Sequence, residues 1–224
     1  MTTQMNSAKP LPSGFTRLRQ LVQSRRQPSE RCELCNLKLA KNHDHLVEIH
    51  RRNILCCCEA CAILFTGHVG SDSDVSYRRV PRRFAELTNF QLSDAQWDDL
   101  RVPINVVFFY DSTPQQKVVA VYHSPAGATQ SSLTLQAWDS IATDNPIVED
   151  MQPDVEALLV NRLDRDGDFQ YYLVPIDRCY ELVGMMRTHW HGLSGGTEVW
   201  REINAFFSRL RIASAPFAKE SSRA

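Results

Sequence analysis

Six cysteines between positions 32 and 61 constrain this chain more than any other feature: Cys32, Cys35, Cys56, Cys57, Cys58 and Cys61, with Cys179 standing alone as the seventh. The opening residues hold no apolar stretch of the kind an export signal needs. A cytoplasmic location is therefore expected, and in that setting clustered cysteines are read as metal ligands rather than disulfide partners. Cys32-Glu-Leu-Cys35 and Cys58-Glu-Ala-Cys61 are two C-x-x-C pairs with 22 residues between them. Each such turn aims two sulfurs at one ion, and two turns complete a tetrahedral four-sulfur site with no open position for substrate or water.

The segment between the pairs supplies the means of closing them. His45–His50 and Asn53–Cys57 read as strands with Arg51-Arg52 at the turn, and Ala62-Ile-Leu-Phe65 after the last cysteine begins a helix. Knuckle, hairpin, knuckle and helix start make a small treble-clef or ribbon-like zinc module over residues 31–66. A unit this short buries too little surface to fold unaided, so structural zinc is expected to supply on the order of 10 kcal/mol of its folding free energy. The predicted ligands are Cys32, Cys35, Cys58 and Cys61. Cys56 projects to the same side of the strand as Cys58 and is an alternative third ligand, while Cys57 points away and is expected to be packed. His45, or its neighbour His43, is the alternative in a site of three cysteines and one histidine. An iron centre of the rubredoxin kind uses the same four thiolates, so spacing does not separate zinc from iron.

The rest of the chain reads as globular. Residues 1–30 form a flexible N-terminal tail rich in Pro, Ser and Gln, 67–90 a linker, 91–213 an α+β domain and 214–224 a C-terminal tail. Ser93-Asp-Ala-Gln96 is a capping box that opens a short helix. Val102–Tyr110 with Lys117–Tyr122, and Val155–Asn161 with Phe169–Val174, are two hairpins with a helix at Leu135–Thr143 between them. Two closing helices carry apolar stripes, one through Cys179, Leu182, Val183, Met186 and Trp190, the other through Val199, Ile203, Phe206, Phe207 and Leu210. An antiparallel sheet of two hairpins covered by helices on one face is expected. No apolar run approaches the roughly 20 residues that cross a bilayer, so no membrane partner is expected.

Charge is unevenly placed. Residues 1–90 carry 14 Lys+Arg against 8 Asp+Glu, and residues 91–224 carry 11 against 18. A basic front invites a nucleic-acid reading, but its excess is spread over ninety residues and faces an acidic back half, so nucleic acid is not the expected partner.

Several blocks together carry a resemblance. They are Cys32-Glu-Leu-Cys35, Leu55-Cys-Cys-Cys-Glu-Ala-Cys61, Ser124-Pro-Ala-Gly-Ala-Thr129, Pro153-Asp-Val-Glu-Ala-Leu-Leu-Val-Asn-Arg162, Val174-Pro-Ile-Asp177, His189-Trp190, Ser194-Gly-Gly196 and Glu198-Val-Trp200. From about Cys32 to Arg211 the chain resembles a bacterial family of unknown function that occurs in gene clusters for [NiFe] uptake hydrogenases. The resemblance implies an accessory role in assembling or operating the hydrogenase, through contact with a hydrogenase subunit or maturation factor. The acidic half and its helix pair are the expected contact surface. The rival readings are a rubredoxin-like iron–thiolate electron carrier and a zinc-ribbon nucleic-acid-binding regulator.

Three smaller motifs need weighing. Gly192-Leu-Ser194-Gly-Gly196 matches the hydrolase pattern G-x-S-x-G, but a helix precedes the serine and no histidine or aspartate follows it. The same residues, Ser194, Gly195 and Gly196, suit a helix start, or an anion site formed by free N–H groups. Cys179 two residues after Asp177 sits in a first turn, where it is either activated by the helix dipole or buried on the apolar stripe. Asp164, Asp166 and Asp168 around Gly167 are turn residues, because the glutamate that would close a calcium loop is missing. No enzymatic activity is expected, and replacing Ser194 with Ala should leave an ester- or peptide-hydrolysis assay unchanged.

Overall fold

The computed structural model describes residues 30–66, 76–124, 127–131, 135–162, 169–192 and 195–217. The tail over 1–29, Asp164, Asp166 and Asp168, Ser194 and residues 218–224 lie outside the described residues. Ten strands are present among the described residues: β1 (Asp44–Glu48), β2 (Asn53–Cys57), β3 (Tyr77–Arg79), β4 (Ala85–Leu87), β5 (Val106–Ser112), β6 (Lys117–Ser124), β7 (Gly127–Gln130), β8 (Glu156–Arg162), β9 (Phe169–Pro175) and β10 (Ala215–Phe217). Five α-helices accompany them: α1 (Glu59–Thr66), α2 (Asp94–Asp99), α3 (Leu135–Asp144), α4 (Ile176–His189) and α5 (Gly196–Ala213).

The strands form a three-stranded sheet in the order β2-β1-β3 and a seven-stranded sheet in the order β10-β4-β9-β8-β5-β6-β7. Every pairing is antiparallel except β10 with β4. The two expected hairpins, β5–β6 and β8–β9, are both present and join through β5 and β8 at the centre of the larger sheet. The capping box is also present: Ser93 Oγ accepts from Gln96 N at 3.2 Å, and Gln96 Oε1 accepts from Ser93 N at 2.9 Å.

Helices cover both faces of the larger sheet, not one. Val106, Phe108 and Tyr110 on β5, with Leu159 and Tyr172, pack under the apolar stripes of α4 and α5. The alternate residues Val107 and Phe109, with Leu158, Val160 and Leu173, pack against Trp97 of α2 and Trp138 and Ile141 of α3. Successive side chains of a strand point to opposite faces, so a strand covered on both sides must be apolar at consecutive positions. Val-Val-Phe-Phe-Tyr and Leu-Leu-Val have that character.

The stretch expected as linker over 67–90 carries structure from Ser76 onward. β3 joins the cysteine-side sheet by pairing with β1, and β4 joins the larger sheet by pairing with β9. Part of the expected C-terminal tail also becomes strand, since β10 lies beside β4. The cysteine segment is consequently joined to the rest by packing as well as by chain. Val47 and Val80 belong to the same buried cluster as α4 and α5, and Ile54 packs against it.

Charge completes this junction. Arg79 and Arg82 reach the two oxygens of buried Asp44 at 2.9 and 3.0 Å. Arg78 donates to the Pro153 carbonyl at 2.9 Å and lies 3.4 Å from Asp154. Arg83 grips Glu156 through two nitrogens at 2.9 and 2.7 Å, and that carboxylate is 0% exposed. Basic front and acidic back thus partly neutralise each other within the fold. Arg83 is 41% exposed and keeps contact with water when its partner is lost, so the loss is that of its charge-assisted hydrogen bonds to Glu156, at about 2 kcal/mol. Glu156→Gln should lower stability by about that amount, read as a reduced urea midpoint with unchanged slope.

Candidate metal centre

The first knuckle is a tight turn closed by its own backbone. Cys32 N donates to Leu37 O at 2.8 Å and Asn36 N to Cys32 O at 2.7 Å, with Asn36 at φ 63°. Asparagine tolerates that left-handed conformation better than most residues, which suits it to this position. The second knuckle is a helix start: Ala62 N donates to Cys58 O at 2.9 Å, which places Cys58 just before α1 and Cys61 in its first turn.

Glu33 ties the first knuckle to the strand that leads into the second. Its backbone N–H donates to Cys56 O at 2.9 Å, and its Oε1 accepts from Cys56 N at 2.7 Å. The residue between the paired cysteines therefore docks the first turn onto β2 independently of any ion. Spacing alone did not reveal this role.

Cys32, Cys35, Cys58 and Cys61 bring their sulfurs within 4.8 Å of one another and are positioned to bind a metal ion. Cys35 Sγ and Cys58 Sγ are 3.7 Å apart. With metal–sulfur bonds of about 2.3 Å, the edge of a tetrahedron is about 3.8 Å, so this pair already has the required spacing. Cys32 and Cys61 are buried, and Cys35 is exposed.

Four thiols this close cannot ionise together without a cation between them. Burial pushes the Cys32 thiol up, but hydrogen bonds to its sulfur from the backbone of Cys58, Cys35 and Leu34 outweigh it and bring it down to about 6. Cys61 is pushed far up, by burial first and then by the sulfurs of Cys58, Cys35 and Cys32. Cys35 is held down by the Leu37 backbone, yet ends raised through the sulfurs of Cys32 and Cys58. A bound cation reverses that arrangement by favouring thiolate at all four positions.

The other candidates separate cleanly. Cys57 is fully buried among Leu46, Cys32, Cys61 and Ala62, and its sulfur donates to the Asp44 carbonyl at 3.3 Å. Cys56 and His45 lie outside the four-sulfur group and meet each other and His43 instead. Asp177 is in the first turn of α4 and accepts from His45 Nδ1 at 2.7 Å, while Pro175 occupies the helix cap. Cys179 is fully buried, and burial, with Asp177 adding to it, holds its thiol well above its ordinary value. That environment is the opposite of an activated thiolate.

Gly195 occupies the cap position of α5 at φ 85°, with no side-chain hydrogen bond closing the helix start. A Cβ on Gly195 would meet Val199 Cγ1 at 2.8 Å and the Trp190 ring at 3.2 Å. Glycine is required there by close packing. Among the described residues, no helix is long and apolar enough to cross a membrane.

Residues 31–214 match the family of unknown function DUF5947, and the chain belongs to that family. No curated protein and no solved structure matches it.

Cys58→Ser should abolish metal binding at the four-sulfur cluster, because it removes one corner of the tetrahedron. Cys56→Ser should leave that binding intact. Cobalt substitution reads both variants: the intense sulfur-to-cobalt absorption of a four-thiolate site should vanish in the first and persist in the second.

Proposed function

We propose that this chain is a non-enzymatic zinc-binding accessory protein that acts by protein–protein contact. The observation that carries this reading is the convergence of four cysteine sulfurs from two knuckles. Four thiolates fill the coordination sphere of zinc and leave no open position, which is the donor set of a structural ion. The order knuckle, hairpin, knuckle and helix start supports a treble-clef description of the module.

A contact surface is available on α1. Ile63, Leu64 and Phe65 lie consecutively on this helix and are 58%, 58% and 42% exposed. Adjacent exposed apolar side chains of this size suit a protein interface. The stripes of α4 and α5 are buried against the sheet, so contact through the helix pair would use its outer faces, while α1 supplies the consecutive exposed apolar residues. The resemblance to the family of [NiFe] uptake hydrogenase gene clusters directs the proposal toward a cytoplasmic hydrogenase subunit or maturation factor.

The iron–thiolate carrier is the second reading, since it uses the same four sulfurs. The nucleic-acid reading is less favoured, because Arg78, Arg79, Arg82 and Arg83 are each committed to a carboxylate. Affinity capture with the full chain tests the proposal in cells that make the hydrogenase. A hydrogenase subunit or maturation factor should co-purify with the parent chain and be lost with Ile63→Asp combined with Leu64→Asp. The captured protein should be colourless and carry zinc. Recovery of no hydrogenase-related protein overturns the accessory role, and visible absorption with iron in the metal analysis overturns the zinc assignment.

A further inference from the structure

A second group of metal-binding side chains lies outside the four-sulfur cluster. One nitrogen each from His43 and His45 and the sulfur of Cys56 fall within 4.8 Å of one another. Register explains part of this: His45 and Cys56 are directly opposed on β1 and β2 and so share one face. His43 just precedes β1, and its ring meets that of His45 edge to face at 4.8 Å between centroids.

The hydrogen bonds define which nitrogen of each ring is free. His43 Nδ1 lies 3.0 Å from the Ala40 carbonyl oxygen, and His45 Nδ1 lies 2.7 Å from Asp177 Oδ2. A carbonyl and a carboxylate can only accept, so each Nδ1 carries the hydrogen. In the neutral ring, Nε2 then presents its lone pair. The His43 side chain is 7% exposed, and its Nε2 is buried with no hydrogen-bond partner among the described residues. Native proteins seldom leave such an atom unsatisfied. Histidine ligands of metals show this same arrangement, with one nitrogen on the ion and the other donating to a carbonyl or carboxylate.

We propose that His43, His45 and Cys56 hold a second metal ion of the zinc class, with Asp177 orienting His45 from α4. Two imidazoles and a thiolate favour zinc-like ions over magnesium or calcium, which prefer oxygen. Three protein ligands leave the fourth position of a tetrahedron open. His43, His45 and Asp177 line a cleft of about 480 Å³, together with Lys41, Arg82 and Arg178. Water or a small anion would complete the coordination. The two ions differ in kind: the four-sulfur ion is enclosed by its ligands, and the second is exchangeable.

Cobalt(II) titration of the full chain under anaerobic, reducing conditions tests this, with native mass spectrometry counting the ions. The parent protein should take up two equivalents, and the second should be withdrawn by a mild chelator while the first remains. His43→Gln and Cys56→Ser should each stop at one equivalent and keep the four-thiolate absorption. Asp177→Asn should retain the second equivalent but weaken it by about 10–100-fold. The helical and strand signal in circular dichroism identifies any variant that fails to fold. His43 precedes the strand, so His43→Gln serves if Cys56→Ser does not fold. Saturation of the parent protein at one equivalent overturns the proposal, as does uptake of two by a folded His43→Gln variant.

Discussion

Alternation along β1 and β2 is the constraint on which the rest of this molecule depends. Leu46 and Cys57 point to one side and are buried with Cys32, Cys61 and Ala62 beneath the knuckles. The intervening residues Val47 and Ile54 point to the other side, where they pack into the core shared with α4 and α5. Five residues of pairing from Asp44↔Cys57 to Glu48↔Asn53 hold this division. A slip of one residue would exchange the two faces and send the metal-side residues toward the main core.

That shared sheet changes what the four-sulfur centre means energetically. A free-standing knuckle module depends on its ion for nearly all of its stability. Here the module also has one face of its sheet in the main core. Glu33 docks the first turn onto β2 as well, through hydrogen bonds at both of its ends. An ion bound there would therefore complete an arrangement that packing and hydrogen bonding have already begun. The buried carboxylates Asp44 and Glu156 add direction to the same junction. Each must meet its arginines in a defined geometry, because an unpaired buried charge is far more costly than an imperfect apolar contact.

The candidate site was legible in proportion to how local it is. Two C-x-x-C turns are short-range features, and their sulfurs converge as their spacing predicts. The capping box at Ser93 and the stripes of α4 and α5 were readable for the same reason, since contacts three or four residues apart follow from helical periodicity. Cover on the second face of the larger sheet was written in the non-alternating apolar runs of β5 and β8. Reading them correctly required knowing that α2 and α3 return to that face. The arginine run at Arg78–Arg83 looked like linker, because its carboxylates are distant in sequence: Asp44 on one side, Asp154 and Glu156 on the other.

The sequence by itself determined the four-sulfur centre, the two hairpins and the closing helices, because each follows from neighbours within a turn, a strand or a hairpin. Strand alternation already set Cys57 apart, and tertiary structure decided between Cys56 and Cys58 and what the excluded thiols meet. Cys56, Cys57 and Cys58 are consecutive, and only the β1–β2 register sends Cys57 into the small core and Cys56 across to His45. Asp177 reaches His45 over 132 positions of chain, a distance at which no local pattern carries information. Packing of α4 against the far side of the sheet brings them together.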